Sequence, residues 1–303
     1  MKTLVTGCNG FVGRHAVRAL QQAGHEVIGA DLTADHPDIP SHAIDLRDSD
    51  TVAHVLQQVR PDAVLHLGGI AFVPLGWSQP QNVFAVNTLG TLNLLAALHQ
   101  QLPAARALIV TSAEVYGSHP APAPLTESAP YAPDNLYGVT KAAADQAALL
   151  YAARHNLHIL VARPSNHFGP GQSRDFVSAS FAAQLAAIAN GAQPVMRVGN
   201  LDQARDFTDV RDVVRAYTLL LEKGRAQTAY NIASGRMTTI RQILDTLSNI
   251  ADVQPSVTID PDRYRPTDQR PTYDTTRIRE HTGWQPAIPL DQTLRDLYTS
   301  LTP

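Results

Sequence analysis

The chain has a single cysteine, Cys8, among 303 residues, so no disulfide can form within it and a reducing compartment suits it. Charge of one sign is also scarce. A formal net charge of −3 gives no electrostatic reason to expect nucleic acid or an anionic membrane surface as a partner. No apolar run approaches the length of a membrane span. The opening "MKTLVTG" reaches a glycine loop too soon to hold a signal-peptide core. The expectation is a cytoplasmic protein without a nucleic-acid or membrane partner. Metal is not expected either: none of the 12 histidines has zinc-protease spacing, and no cysteine pair exists. Internal repeats and low-complexity tracts are missing as well.

What is present is an alternation. Short, nearly continuous apolar runs at 3–7, 26–31, 63–69, 107–112 and 158–164 read as strands of a parallel sheet covered on both faces. Helix patterns at 11–23, 48–59, 82–100 and 136–155 lie between them. Such alternation predicts an α/β fold, a doubly wound parallel sheet of Rossmann type. After about 165 the pattern loosens. A turn-rich loop at 163–172 leads to helices near 174–190, 209–224 and from 290, with strands near 194–200 and 229–234. The expectation is a dinucleotide-binding domain, 1–165 with 208–233 rejoining it. A smaller C-terminal α/β substrate-binding lobe, 166–207 and 234–303, would sit over the carboxyl ends of the strands.

"GCNGFVG" places Gly7, Gly10 and Gly13 between the first strand and the first helix. Gly7 permits a tight turn, Gly10 a close approach to a pyrophosphate, and Gly13 close helix–strand packing. The helix N-terminus then offers its free N–H groups to the phosphates. The second strand ends in Asp31, where a carboxylate can accept from ribose hydroxyls and repels a 2′-phosphate. The cofactor expected is NAD(H) or NADP(H), with Asp31 favouring NAD(H). Asp45 offers a second acidic position near the adenine. Cys8 inside the loop reads as a small filler.

Tyr137 and Lys141 stand four apart on a helix, so they share a face, and the ammonium can stabilise a tyrosinate. Alone, such a pair is as readily a solvated surface pair. Ser112, at the end of the fourth strand, falls where ligands bind in doubly wound sheets. Together the three groups can move a proton at an oxygen while a hydride moves at its carbon. His66 reads as a packed strand-end residue, Asn87 as a binder of backbone or water, and His167 as a neighbour of substrate.

The glycine triplet, Ser112 and "YGVTK" resemble the extended short-chain dehydrogenase/reductases that act on nucleotide sugars, over almost the whole chain. "ARPSNHFGPGQ", "VGNLDQARDFTDVRDVVRAY" and "YNIASG" are similar to the branch handling GDP-mannose derivatives. The resemblance implies Ser112, Tyr137 and Lys141 as the proton-handling set, with Glu114 beside them. It implies Asn166, Val177, Arg205 and Arg265 as substrate contacts, joined by Ser112 and Glu114. The expected cofactor contacts are Gly7, Asn9, Gly10, Phe11, Val12, Gly13 and Asp31, then Asp45, Leu46, Leu67, Gly68 and Arg163, with Tyr137 and Lys141. Ser165 departs from the pattern, because the branch usually has an aromatic there. The resemblance further implies a homodimer through the helices near 82–100 and 136–155.

Two chemistries compete. A 4,6-dehydratase must remove a C5 proton and expel the C6 hydroxyl, which takes a carboxylate base and usually an acid. Related dehydratases have Thr-Asp-Glu or Thr-Ser-Glu where this chain has Ser112-Ala113-Glu114, and the Ala113 side chain donates nothing. A reductase needs only a hydride at a C4 ketone, a proton from Tyr137 and orientation from Ser112. The expectation is therefore reduction of GDP-4-keto-6-deoxy-D-mannose to GDP-D-rhamnose, with Glu114 positioning substrate. The alternatives are GDP-mannose 4,6-dehydration, another nucleotide-sugar 4-epimerase or reductase, and an NAD(P) sensor without turnover.

Overall fold

The computed structural model of the chain describes residues 1–118, 121, 123–261, 263–264 and 270–302. The first half supplies strands β1 (Lys2–Thr6), β2 (Glu26–Asp31), β3 (Ser41–Ala43), β4 (Ala63–His66), β5 (Arg106–Val110) and β6 (His158–Pro164). Then come β7 (Asn166–Phe168), β8 (Val195–Val198), β9 (Ala204–Asp209), β10 (Thr228–Ile232), β11 (Met237–Thr239) and β12 (Ser256–Ile259). The helices of the first half are α1 (Phe11–Gln22), α2 (Ser49–Val59), α3 (Leu75–Ser78), α4 (Pro80–Phe84), α5 (Gly90–Gln101) and α6 (Leu136–His155). They are followed by α7 (Val177–Ala189), α8 (Val210–Lys223), α9 (Ile240–Ala251), α10 (Thr276–Thr282) and α11 (Leu290–Thr299).

Seven strands form one parallel sheet in the order β3-β2-β1-β4-β5-β6-β10. Leu4 pairs with Ile28 on one side and Val64 on the other, at the point where the strand order reverses. The strands are apolar on both faces because both are covered: α1 and α8 pack together over one, and α2, α5 and α6 over the other. This is the doubly wound α/β fold that the alternation predicts.

A second core of Phe181, Leu185, Ile243, Leu244, Leu247 and Leu294 joins α7, α9 and α11. Beside it lie a three-stranded sheet, β7-β9-β11, and the pair β8-β12.

Besides the short strands β3, β7, β9, β11 and β12 and the helix α10, which the sequence reading did not mark, two longer stretches differ from it. The span 82–100 is not one α-helix. A π-helical stretch, Ala85–Leu89, interrupts it, and there the buried Asn87 side chain grips the backbone of Ile70, accepting from its N–H (2.8 Å) and donating to its carbonyl (3.0 Å). The helix α9 was not anticipated, although its signal is present. Thr239 and Gln242 form a capping box ahead of the apolar row Ile240, Ile243, Leu244 and Leu247. Among the described residues no helix is long and apolar enough to cross a membrane. Nor do those residues contain a cluster of three or more His, Cys, Asp or Glu side chains that could hold a metal ion.

Candidate active site

The carboxyl ends of β1, β4, β5 and β6 open into a cleft of about 1310 Å³ that runs from the glycine loop into the smaller lobe. At its first end Gly7 adopts φ +73°, and a Cβ there would lie 2.9 Å from the Gly68 nitrogen. A Cβ on Gly13 would fall 2.1 Å from the Gly7 carbonyl oxygen. Only glycine fits either place. Gly10 caps α1 without a side-chain hydrogen bond, which leaves the first-turn N–H groups facing the cleft. These features suit a dinucleotide diphosphate.

Asn9, Phe11 and Val12 line the same end, with Asp31, Asp45 and Leu46 beyond them and Leu67 and Gly68 opposite. Asp31 is oriented by the glycine loop and by its own neighbour, since its oxygens accept from the N–H groups of Asn9 (2.9 Å) and Leu32 (2.8 Å). The guanidinium of Arg47 grips Asp45 and holds its carboxyl below the usual range. Cys8 is packed beneath the loop against Gly29, and burial pushes its thiol up to about 11.

Arg163 requires a correction. It does not line the cleft. Its guanidinium is sealed beneath β6, where it donates to Asp145 (2.8 Å from both Nε and Nη2), Tyr116 (2.8 Å), Tyr131 (2.6 Å) and the Glu127 carbonyl (2.9 Å). All five donors are thereby used, so none is left for a cofactor. Arg265 lies outside the described residues.

Ser112, Glu114, Tyr137 and Lys141 all line the cleft, with Ser112 and Glu114 beside the Tyr137 phenol. Asn135 caps α6 by accepting from Gly138 N–H (2.8 Å), and that cap sets the first turn carrying Tyr137. Burial drives the Tyr137 phenol above its usual pKa; the Ser112 hydroxyl hydrogen-bonded to it pulls the other way, and the Glu114 carboxylate adds to the rise. Lys141, also buried, is brought down to about 8 by desolvation, with Asp145 opposing. Its ammonium donates to the Val110 carbonyl at 3.0 Å. His66 sits behind this group, hydrogen-bonded to Thr6 (2.8 Å) and Thr91 (3.1 Å), and burial holds it down to about 3. It is a packing residue.

Glu114 is not a free carboxylate. Its Oε2 accepts from Arg270 at 3.0 Å and from the Asn135 amide at 2.8 Å. Arg270 reaches it from the far end of the chain, in a segment held by Leu125 N–H donating to the Thr272 carbonyl (2.8 Å). Sequence reasoning missed Arg270, and no local motif marks it. Tyr273, from the same segment, joins the wall of the cleft against Tyr116.

Asn166, Val177 and Arg205 line the outer end, as does His167. Arg174, Arg197 and Arg263 stand there as well, cations the sequence reading did not single out. Behind this end the buried Asp206 of β9 ties the entry to β7 to the turn before β11, accepting from Ser165 Oγ (3.0 Å), Ser234 N–H (2.8 Å) and Gly235 N–H (2.7 Å). Ser165 thus serves an anchor where the expected aromatic would have displaced it. The outer end is basic and the inner end is built for phosphates.

The chain matches the family model described as GDP-mannose 4,6 dehydratase over residues 4–297. It is 38% identical, over 298 residues, to the GDP-6-deoxy-D-mannose reductase of Pseudomonas aeruginosa, covering 97% of this chain and 95% of that protein. The solved structure of RMD from Pseudomonas aeruginosa complexed with NADPH has a TM-score of 0.87 and 35% identity, over 99% of each chain. The UDP-glucose 4-epimerase of Thermus thermophilus, solved with NAD, has a TM-score of 0.89 and 28% identity, again over 99% of each.

Proposed function

The chain belongs to the GDP-mannose 4,6-dehydratase family of extended short-chain dehydrogenase/reductases, and from that premise we propose that it reduces the C4 ketone of GDP-4-keto-6-deoxy-D-mannose to give GDP-D-rhamnose. Bound NAD(P)H supplies the hydride. Tyr137 gives its hydroxyl proton to the ketone oxygen, and Ser112 orients that oxygen by a hydrogen bond. The Lys141 ammonium stabilises the tyrosinate left behind. Glycines 7, 10 and 13, with Asn9, Phe11, Val12, Asp31, Asp45, Leu46, Leu67 and Gly68, hold the cofactor. Asp31 favours NADH by accepting from the ribose hydroxyls. Asn166, Val177 and Arg205 hold the GDP-sugar, with Arg205 placing forked donors on its diphosphate.

The observation that carries this reading, against 4,6-dehydration, is the state of Glu114. Arg270 and Asn135 both bind Oε2 of Glu114, so two charge-assisted hydrogen bonds fix the carboxylate in one orientation, the arrangement of a group that positions substrate. Reduction asks nothing of it but position. Glu114→Gln should therefore keep keto-sugar reduction within about tenfold, whereas a dehydratase would lose the 10²–10⁴ that general-base catalysis supplies. Absorbance at 340 nm, with the keto sugar and NAD(P)H, measures this. Collapse of reduction in that variant would count against the assignment.

Residues 1–165 with 208–233 serve the cofactor, and 166–207 with 234–303 the nucleotide sugar. The enzyme works as a cytoplasmic homodimer through the helices near 82–100 and 136–155, where Leu89, Val139 and Leu150 are exposed apolar side chains.

A further inference from the structure

Tyr217 sits in the middle of α8, in a row of apolar side chains that includes Val210, Val213, Val214 and Leu221. Its side chain is completely buried and forms part of the floor of the cleft. Its hydroxyl has no hydrogen-bond partner among the described residues. A sealed phenol left without a partner is costly, because the group has lost water and gained nothing. Phenylalanine would fill the same space without that cost. A hydroxyl there calls for a partner from outside the described residues, and its place on the cleft floor puts a bound ligand within consideration.

The position narrows the partner. α8 belongs to the cofactor side of the molecule, packed on α1, the helix that opens at the glycine loop. Burial pushes the Tyr217 hydroxyl well above its usual pKa, and the Tyr137 phenol, near enough to act on it electrostatically, adds to the rise. It therefore stays protonated and acts as a donor. The other orphaned hydroxyl on the cleft wall, Ser178, stands on α7 in the smaller lobe and faces a different part of any ligand. With the diphosphate at Gly7–Gly13, the part of the cofactor that lies beside Tyr137 is the nicotinamide, whose carboxamide oxygen is an acceptor.

We propose that the Tyr217 hydroxyl donates a hydrogen bond to the nicotinamide carboxamide of the bound cofactor, fixing the ring beside Tyr137. Tyr217 is then a cofactor-positioning residue rather than a proton donor. This rests on the cofactor reading above, and the experiment separates the two. Wild type and Tyr217→Phe are titrated by calorimetry with NADPH, NADH and ADP-ribose, the last carrying no nicotinamide. The Phe variant should bind the better of the two dinucleotides about five- to tenfold more weakly, the share of one neutral hydrogen bond. Its affinity for ADP-ribose should not change. Its melting temperature without ligand should be no lower than that of the wild type, while the rise on adding dinucleotide should shrink. Equal loss for dinucleotide and ADP-ribose would mean a structural role, and no loss for either would mean that a trapped water satisfies the hydroxyl. Either result overturns the proposal. A wild type that binds neither dinucleotide would instead overturn the cofactor reading on which it stands.

Discussion

Lys141 is the residue whose chemistry depends most on where the fold puts it. Free in water its ammonium would persist far into alkali, but burial brings its pKa down to about 8, with Asp145 alone pulling back. Tyr137 moves upward, so it stays protonated across the working range. The sign follows directly: below about pH 8 the ammonium is present and can support a tyrosinate, and above it the support is lost. The pH profile of kcat/KM, which reports the free enzyme, should therefore fall on its alkaline side with an apparent pKa near 8. An alkaline limb only above pH 10 would contradict that role. Ser112, Tyr137 and Lys141 were legible because strand-end position and i, i+4 spacing are local properties. The partner of Glu114 was not, since Arg270 lies 156 residues away in the chain and only the folded lobes bring the two together.

Among the elements, β6 and α6 illustrate how a sequence reading can place a residue on the right strand and give it the wrong task. Arg163 belongs to β6, but its side chain turns under the strand to Asp145 of α6, and that pair is almost wholly buried. Strand periodicity did not reveal this, because a buried arginine needs a counter-charge that only tertiary packing identifies. Arg163→Met should cost about 3–5 kcal/mol of stability by leaving Asp145 buried without its partner. The surviving folded fraction should retain its affinity for NAD(P)H. Urea unfolding and cofactor titration check the two halves, and a large loss of affinity with unchanged stability would reverse the correction. The π stretch at Ala85–Leu89 escaped for a similar reason: helical periodicity continues through it, and the contact that accompanies it, Asn87 on the Ile70 backbone, is made between separate parts of the chain. The glycine loop was readable because steric demands of turn and packing fix its spacing.

For the whole molecule, two lobes meet along one cleft whose inner end suits a dinucleotide and whose outer end carries several arginines. The alternation of strands and helices foretold the first lobe well. The second was harder, because its short strands β7, β8, β9, β11 and β12 pair only with one another and carry little pattern of their own. If the exposed Leu89, Val139 and Leu150 cover each other across a twofold axis, Leu150→Glu should convert dimer to monomer in light scattering with little loss of fold. A wild-type monomer would dismiss that interface. Reduction is told from elimination by following the sugar itself. GDP-mannose and GDP-4-keto-6-deoxy-D-mannose are offered separately with NAD(P)H, and C4 and C6 are followed by NMR. The keto sugar should become GDP-D-rhamnose while GDP-mannose is untouched; conversion of GDP-mannose to the keto sugar would instead establish elimination.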